Sequence, residues 1–420
     1  MPRYKVILET SSPLLLGAGL TTGSIQESRG YVAGSVWRGA VAQAMLQAQG
    51  RVRYAGRPVN GAPDPDFADL FWGDQAARFG FLYPASGSGV AALPIPLTAR
   101  TCKQKPGFAP SGHGLYDGLL NRLREAASGQ RPYSRGPEPC PRCEGGKGRL
   151  ERKRGFMSRT NAASQDYGEA KVGRRTFVRV GLNRLTETAQ EEILYTLEAL
   201  VPAPDGKDGR PSLTFVGSWS GSEGQRQALM AQMAEYQLPG ANGYRISVGT
   251  ARARGMGDAV LRLEPADNDQ DKGLADRLDA FQPMTEGRPT DPNHLYAALT
   301  LRSPLLLVDE QGLPAVALTG ALLRAYHPQA PVGLQVLANY SVLERETWTG
   351  WAAAWGLPKP VTTVISAGSV IALRAPAEER AALLDYLTTL AAEGLGERRA
   401  EGFGEVLVCD PFHIAFDEKE

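Results

Sequence analysis

A glycine-rich basic loop occurs twice in this chain, and a duplication of that kind restricts the fold to two copies of one module. Ser247 to Leu263 reads SVGTARARGMGDAVLRL, with glycines at Gly249, Gly255 and Gly257 and with Arg252 and Arg254 inside. Gly394 to Val408 reads GLGERRAEGFGEVLV, and Gly396, Gly402 and Gly404 repeat that spacing around Arg398 and Arg399. Each copy follows a helix-like stretch and runs into an alternating apolar segment that reads as a strand. Glycine takes up positive φ and lets backbone amides approach a bound group, while arginine offers a forked donor to phosphate. One such loop is most often a turn; two at fixed spacing mark related modules.

Two further echoes extend the repeat. Ser12-Pro13-Leu14-Leu15-Leu16 ends a strand-like run from Tyr4 to Glu9 and recurs as Ser303-Pro304-Leu305-Leu306-Leu307 after the run Leu295 to Leu301. Gly34-Ser35-Val36-Trp37-Arg38-Gly39-Ala40 opens one helix-like segment and Thr319-Gly320-Ala321-Leu322-Leu323-Arg324-Ala325 another, with Ser35 and Thr319 placed as N-caps. Strand, helix, then helix, glycine loop and strand fit a βαββαβ order, so the expected class is α+β with two ferredoxin-like units. The first module spans 1–264 with an insertion at about 52–175, a linker covers 265–292, and the second module covers 293–420. In the linker Asp267, Asp269 and Asp271 precede Gly273 like a calcium loop. The glycine is one place late and Leu278 stands where a bidentate Glu is needed, so no calcium is expected.

The insertion carries the strongest chemical signal. Cys102, His113, Cys140 and Cys143 fall within 42 residues, the last two as a Cys-x-x-Cys knuckle. Three thiolates and an imidazole suit tetrahedral structural zinc, and four protein ligands leave no open position for catalysis. The gap between Cys102 and His113 is not a standard spacing. A redox Cys-x-x-Cys, which here lacks a βαβ context, and unrelated loop cysteines are the competing readings.

From Gly146 to Leu185 eleven Lys or Arg, among them Arg174, Arg175, Arg179 and Arg184, face three acids, Glu151, Asp166 and Glu169. With a formal net charge of only +1 over 420 residues, a nucleic-acid surface has to be local, and this run is the place for it. Solvated faces and disordered arms are the alternative for such a run. Arg38, near the start of its helix, either holds a phosphate with the helix amides or lies on a solvated face. The aromatic cluster Phe67, Phe71, Trp72, Phe79, Phe81 and Tyr83 could stack on bases, but its short amphipathic and strand-like settings favour core packing.

Val178 to Asn183 reads as a strand, Glu187 to Leu200 as a helix-like or mixed stretch, and Gln225 to Leu238 and Ala377 to Glu393 as helices. No apolar run approaches the length of a membrane span, and the N-terminus has no signal-peptide pattern, so a cytoplasmic protein without membrane contact is expected.

Taken together, the paired loops, the two Ser-Pro-Leu-Leu-Leu stretches, Gly34 to Ala40, the Cys/His cluster and Val180-Gly181-Leu182-Asn183-Arg184-Leu185-Thr186 resemble the RAMP superfamily of CRISPR-associated proteins. Within it the chain is most similar to the two-RAMP-domain Csx-ten family subunit of type III-D effector complexes, over nearly its whole length. The resemblance implies a non-catalytic RNA-binding subunit that caps the complex on the 5′ repeat-derived handle of crRNA. Its implied partners are the large polymerase-like subunit and a RAMP backbone subunit. It places Gly249, Arg252, Arg254, Gly255, Gly257, Gly396, Arg398, Arg399, Gly402 and Gly404 in the family's glycine loops, and Arg38 at the basic position of its first helix. Glu397 and Glu401 in the second loop would repel phosphate, which favours packing or protein contact there. The other function class is a metal-independent endoribonuclease processing CRISPR precursor RNA. Its general base would come from His113, His294, His327 or His413, or from a Tyr or Lys.

Overall fold

A computed structural model of the chain describes residues 1–17, 25–50, 64–85, 89–130, 138–159, 167–183, 185–201, 213–240, 242–266, 273–285, 287–315, 318–352 and 356–417. Arg184, Asp166, Asp267, Asp269 and Asp271 lie outside them. The architecture is mixed α+β, built around two separate sheets.

The alternating run at the start of the chain forms the strand Arg3–Thr10, which buries Val6, Leu8 and Thr10. It lies antiparallel to Leu213–Ser220 on one side and to Asp258–Pro265 on the other, with Leu8 opposite both Phe215 and Leu261. Tyr244–Ser247 extends the sheet beyond Asp258–Pro265, and Arg78–Phe79 and Tyr83–Pro84 pair with the far edge of Leu213–Ser220. The helices Gly34–Ala48 and Glu223–Gln232 bring Trp37, Val41, Met45 and Leu229 into one core with Val6, Leu8, Phe215 and Ile246. A capping box between Ser222 and Gln225 starts the second of these helices.

The second sheet repeats the scheme. His294–Leu301 lies between Val370–Pro376 and Val406–Val408, and Gln335–Val336 borders Val370–Pro376. The helices Gly320–Tyr326 and Arg380–Glu393 cover it through Leu323, Leu383, Tyr386, Leu387 and Leu390. In both sheets the module's opening strand is internal, flanked by its last strand and by the strand that precedes its second helix. Thr319 caps its helix by accepting from the Leu322 amide. Ser35 does not: Ala33 occupies the cap and Ser35 lies inside the first turn.

The repeated motifs turn out to touch each other. Gly249, Ala251, Gly255 and Gly257 all have positive φ, and so do their equally spaced counterparts Gly396, Arg398, Gly402 and Gly404. The Gly257 amide donates to the Pro13 carbonyl and the Thr250 amide to Leu15; in the second module Gly404 donates to Pro304 and Glu397 to Leu306. The Ser-Pro-Leu-Leu-Leu segment therefore recurs because its carbonyls anchor the glycine loop. A Cβ on Gly404 would stand 1.8 Å from the Leu395 carbonyl oxygen, whereas one on Gly255 would meet nothing within 4 Å. We expect Gly404→Ala to cost about 3 kcal/mol or more and Gly255→Ala about 1–2 kcal/mol, measured by urea unfolding.

Three stretches depart from the sequence expectation. Glu187 to Leu200 is not helical: Ala189–Val201 is a strand that pairs with Gly173–Leu182 in a long hairpin. The expected linker contains the helix Leu274–Ala280, whose Leu274 and Leu278, with Phe281, are buried in the second core. The insertion leaves the first module by connectivity but packs on the second. Its helix Leu119–Ala127 adds Leu119, Leu120 and Leu123 to that core, and Asp117 donates its amide to the Phe416 carbonyl. The aromatic cluster is core material, with Phe67, Phe71, Phe79, Phe81 and Tyr83 buried and only Trp72 exposed. Among the described residues no helix is long and apolar enough to cross a membrane.

Candidate metal centre and nucleic-acid interface

The insertion's three short strands carry the metal-ligand residues. Ala99–Cys102 is central, flanked by Leu115–Asp117 and Leu150–Arg152. Cys102 ends the central strand, His113 precedes the second, and Cys140 and Cys143 lie in the turn before the third. Their ligand atoms all fall within 4.8 Å of one another. Cys102 Sγ is 3.5 Å from Cys143 Sγ, and His113 Nδ1 is 3.5 Å from the sulfurs of both Cys140 and Cys143. Zinc bound at about 2.3 Å to sulfur and about 2.0 Å to nitrogen would set neighbouring ligand atoms roughly 3.5–3.8 Å apart, so the donor set fits. The Cys143 amide donates to the Cys140 carbonyl, the Cys140 amide to Gly148, and the Lys105 amide to Cys102 Sγ, which fixes the thiols in place. A Cβ on Gly148 would lie 2.3 Å from Cys143 Sγ, a requirement that the spacing of cysteines alone does not reveal. Without a metal, burial and the thiols of Cys102 and Cys140 push Cys143 up to about 11. Metal binding there would release its proton. Four protein ligands would make such a metal a cross-link between strands and not a reaction centre.

A second constellation forms where the long hairpin meets the first glycine loop. Arg175, Phe177 and Arg179 alternate along one strand and so share a face. Both guanidinium groups lie over the Phe177 ring, at 5.2 and 5.7 Å. Tyr195, opposite Arg179 in register, carries Arg254 of the loop at 5.2 Å from its ring. Leu15, Leu197, Ala199 and Met256 pack beneath and hold the loop to the hairpin. Arg252, Arg254 and Gly255 are exposed, and Arg252 donates to Gln43 Oε1 at 2.6 Å. Arginine fans over aromatic rings beside an open backbone turn suit phosphate contact and base stacking.

The other candidate residues are placed differently. The second loop is enclosed by the first module: Cβ atoms on Gly402 and Gly34 would strike the Phe79 carbonyl, and Gly34 would also strike the carbonyl of Glu401. Counted from the first glycine of each loop, Glu401 stands where the first has Arg254. Burial disfavours the Glu401 charge, but Arg398 and Lys359 outweigh it and hold its pKa low, with Lys359 Nζ at 2.9 Å. Arg398 also lies over Phe403 at 4.6 Å, and Arg399 is 3.5 Å from Glu393. The start of the helix Gly34–Ala48 is thus covered, and Arg38 turns away to donate to the Phe71 carbonyl and stack on its ring. Arg174 faces away from Arg175, donating to Ser28 O and Glu198. Part of the basic run is matched by acids: Glu344, distant in sequence, takes Arg152 and Arg154, while Glu151 and Glu169, within the run, take Arg149 and Lys153.

The histidines are each engaged away from the exposed loop. His113 belongs to the Cys cluster, and His294 pairs with Asp291 at 2.9 Å. His327 is buried with Nε2 3.0 Å from the Gly394 carbonyl, and burial lowers its pKa. His413 is fully buried between Asp117 and Thr300, at 3.0 and 2.9 Å. The last arrangement has the connectivity of a hydrolytic triad but no access to substrate.

No protein-family model matches the chain, and no curated protein matches it in sequence. Among solved structures, a chain of type III-B Cmr-beta bound to cognate target RNA overlays with a TM-score of 0.41 at 13% identity. A chain of the same assembly with target RNA and AMPPnP gives 0.42 at 13%. Each of these overlays covers 88% of this chain and 86% of the other. A chain of the apo Cmr-beta structure gives 0.27 at 11% identity, covering 62% of this chain and 96% of that one.

Proposed function

We propose that this chain is a non-catalytic RNA-binding subunit of a type III CRISPR effector complex, capping it by holding the 5′ repeat-derived handle of crRNA. The observation that carries the reading is the asymmetry of the two loops. One exposes Arg252 and Arg254 beside Arg175, Phe177, Arg179 and Tyr195, while its twin packs against the first module with Glu401 held by Lys359 and Arg398. The spatial order of strands in each sheet, with helices after the first and third, is that of a ferredoxin-like unit and supports two RAMP domains. Val178, Val180 and Leu194 expose an apolar patch on the opposite face of the hairpin, a surface suited to the polymerase-like or backbone subunit of the type III-D architecture. The zinc-type cluster serves as a structural staple in this reading, and the protein works in the cytoplasm.

Binding of handle-bearing crRNA, compared with the same RNA lacking the handle, tests the proposal, with the RNA run on a denaturing gel afterwards. Arg252→Glu/Arg254→Glu should weaken handle binding by roughly 100-fold and flatten its salt dependence, since each lost phosphate contact removes about one unit of slope. Glu401→Gln should leave binding unchanged. A metal-independent cut within the repeat would replace the proposal by the processing-nuclease reading. Its base would then be a residue other than the four engaged histidines.

A further inference from the structure

Four arginines from separate parts of the chain meet at the seam of the two modules. Arg3 opens the central strand of the first module and Arg78 lies on its short edge strand. Arg302 follows the central strand of the second module and Arg399 sits in its glycine loop. With Glu393 and Glu405 they line a single small cleft of about 30 Å³ that opens to solvent. None of its lining residues belongs to the first glycine loop or to the hairpin.

Four cations face two carboxylates there. Arg3 donates to Ser218 Oγ at 3.0 Å and lies 3.7 Å from Glu405, which accepts from the same hydroxyl at 3.3 Å. Glu393 lies 3.5 Å from Arg399, and its carbonyl accepts from Arg78 at 2.9 Å. Arg78 and Arg399 are thereby explained as cations at the C-terminal end of the helix Arg380–Glu393. Arg302 has no such explanation. Its Nε is buried and meets no hydrogen-bond partner among the described residues. Burial depresses its pKa and the neighbouring Arg3 adds repulsion, while Glu405, Tyr83 and Asp410 oppose this. Gly80 shapes the wall: a Cβ there would lie 2.6 Å from Glu405 Oε1 and 2.8 Å from the Ser218 carbonyl. A buried donor without a partner, in a cleft with two more positive than negative charges, is incomplete as it stands.

We propose that the seam cleft binds a phosphate group, whose oxygens accept from arginines of both modules. A phosphate dianion matches the excess charge, and guanidinium forks fit its oxygens. Because the donors come from both modules, the ligand acts as a clasp across the seam and raises the stability of the folded chain by mass action. This does not depend on the crRNA reading. The phosphate can be free, carried by a nucleotide, or the end group of an RNA.

The test uses the full chain, followed by thermal unfolding and by titration calorimetry. Its ligands are inorganic phosphate, a nucleoside 5′-monophosphate and a 5′-phosphorylated oligoribonucleotide, with chloride at matched ionic strength as the control. A concentration-dependent rise in Tm with phosphate but not chloride is expected. Arg302→Met and, separately, Arg399→Gln should each weaken phosphate binding by about tenfold or more while keeping wild-type zinc content and far-UV spectrum. The carrier that binds tightest identifies the source. Absence of a shift with all three, or unchanged affinity in both variants, overturns the proposal. Arg252→Glu/Arg254→Glu should leave phosphate binding intact, so failure of the handle-binding reading and failure of this one are distinguishable.

Discussion

Chelating zinc, or replacing Cys143 by Ser, should unfold the tip of the insertion while leaving both sheets standing. The apolar material around the cluster is small: Cys102, Cys140 and Leu150 are buried, with Tyr116 and Cys143 packed against them. That cluster is too small to hold three strands of three or four residues each. Structural zinc sites in small domains have apparent binding free energies of about 10–16 kcal/mol at neutral pH, which is ample to order the turn from Glu138 to Leu150. The purified chain should contain about one zinc per molecule by elemental analysis, since all four ligands come from one chain. The Cys143→Ser variant should lose most of it. Limited proteolysis should then cut between Cys102 and Leu150 at rates far above wild type. Equal metal content in wild type and variant would remove the zinc reading and leave the four residues as an unmetallated thiol cluster. Handle binding should change little, because Arg254 and Arg175 are held by Tyr195, Phe177 and Met256 and not by the cluster.

Asp117→Ala should destabilise the chain by roughly 3–5 kcal/mol, the usual cost of leaving a buried ionic partner alone. Asp117 Oδ1 accepts from His413 and from the Leu119 amide, and both Asp117 and His413 are fully buried. The pair ties the insertion to the C-terminal helix Pro411–Ala415 of the second module. Burial disfavours the His413 cation, but Asp117, helped by Asp410, outweighs it and raises the pKa above its ordinary value. A histidine raised in the folded state contributes stability that is fully present below its unfolded value, about 6.5, and is lost as pH rises through the folded value. Urea unfolding should therefore show stability declining above pH 6.5. His413→Gln should abolish that part of the slope. A wild-type chain equally stable at pH 6 and pH 9 would show that the pair does not titrate in this window. The same pair accounts for the resemblance to a triad: Thr300 completes the hydrogen-bond chain in a place that no substrate reaches.

Much of the framework was legible along the chain because it is carried by local pattern. The opening strands alternate, the helices carry apolar stripes, and the glycines mark positions where φ has to be positive. The pairing of Gly257 with Pro13, and of Gly404 with Pro304, is visible in sequence only as two repeats at matched spacing. Glu187 to Leu200 reads as helix-like or mixed for a physical reason. Leu194, Leu197 and Leu200 fall at helical intervals, and only pairing with Gly173–Leu182 decides which of them face inward. Leu197 and Leu200 are buried while Leu194 is exposed. Glu344, which meets Arg152 and Arg154 of the basic run, lies far from it in sequence, so the local charge balance does not include it.

The amino-acid sequence by itself determined that the chain is a doubled α+β unit with two glycine loops and a cluster of four residues able to ligate a metal. Those properties depend on backbone conformation, periodicity and ligand chemistry, each set by residues close in the chain or by residue type alone. Only the tertiary structure decided which loop is free. Arg254 and Glu401 occupy the same place in two loops of one shape, and no backbone signal in either loop says that one faces solvent and the other a neighbouring module. Exposure depends on what packs against a surface. Here that is the first module's own helix start at Gly34 and strand at Phe79, which close the second loop and leave the first to Arg175, Arg179 and whatever the protein binds.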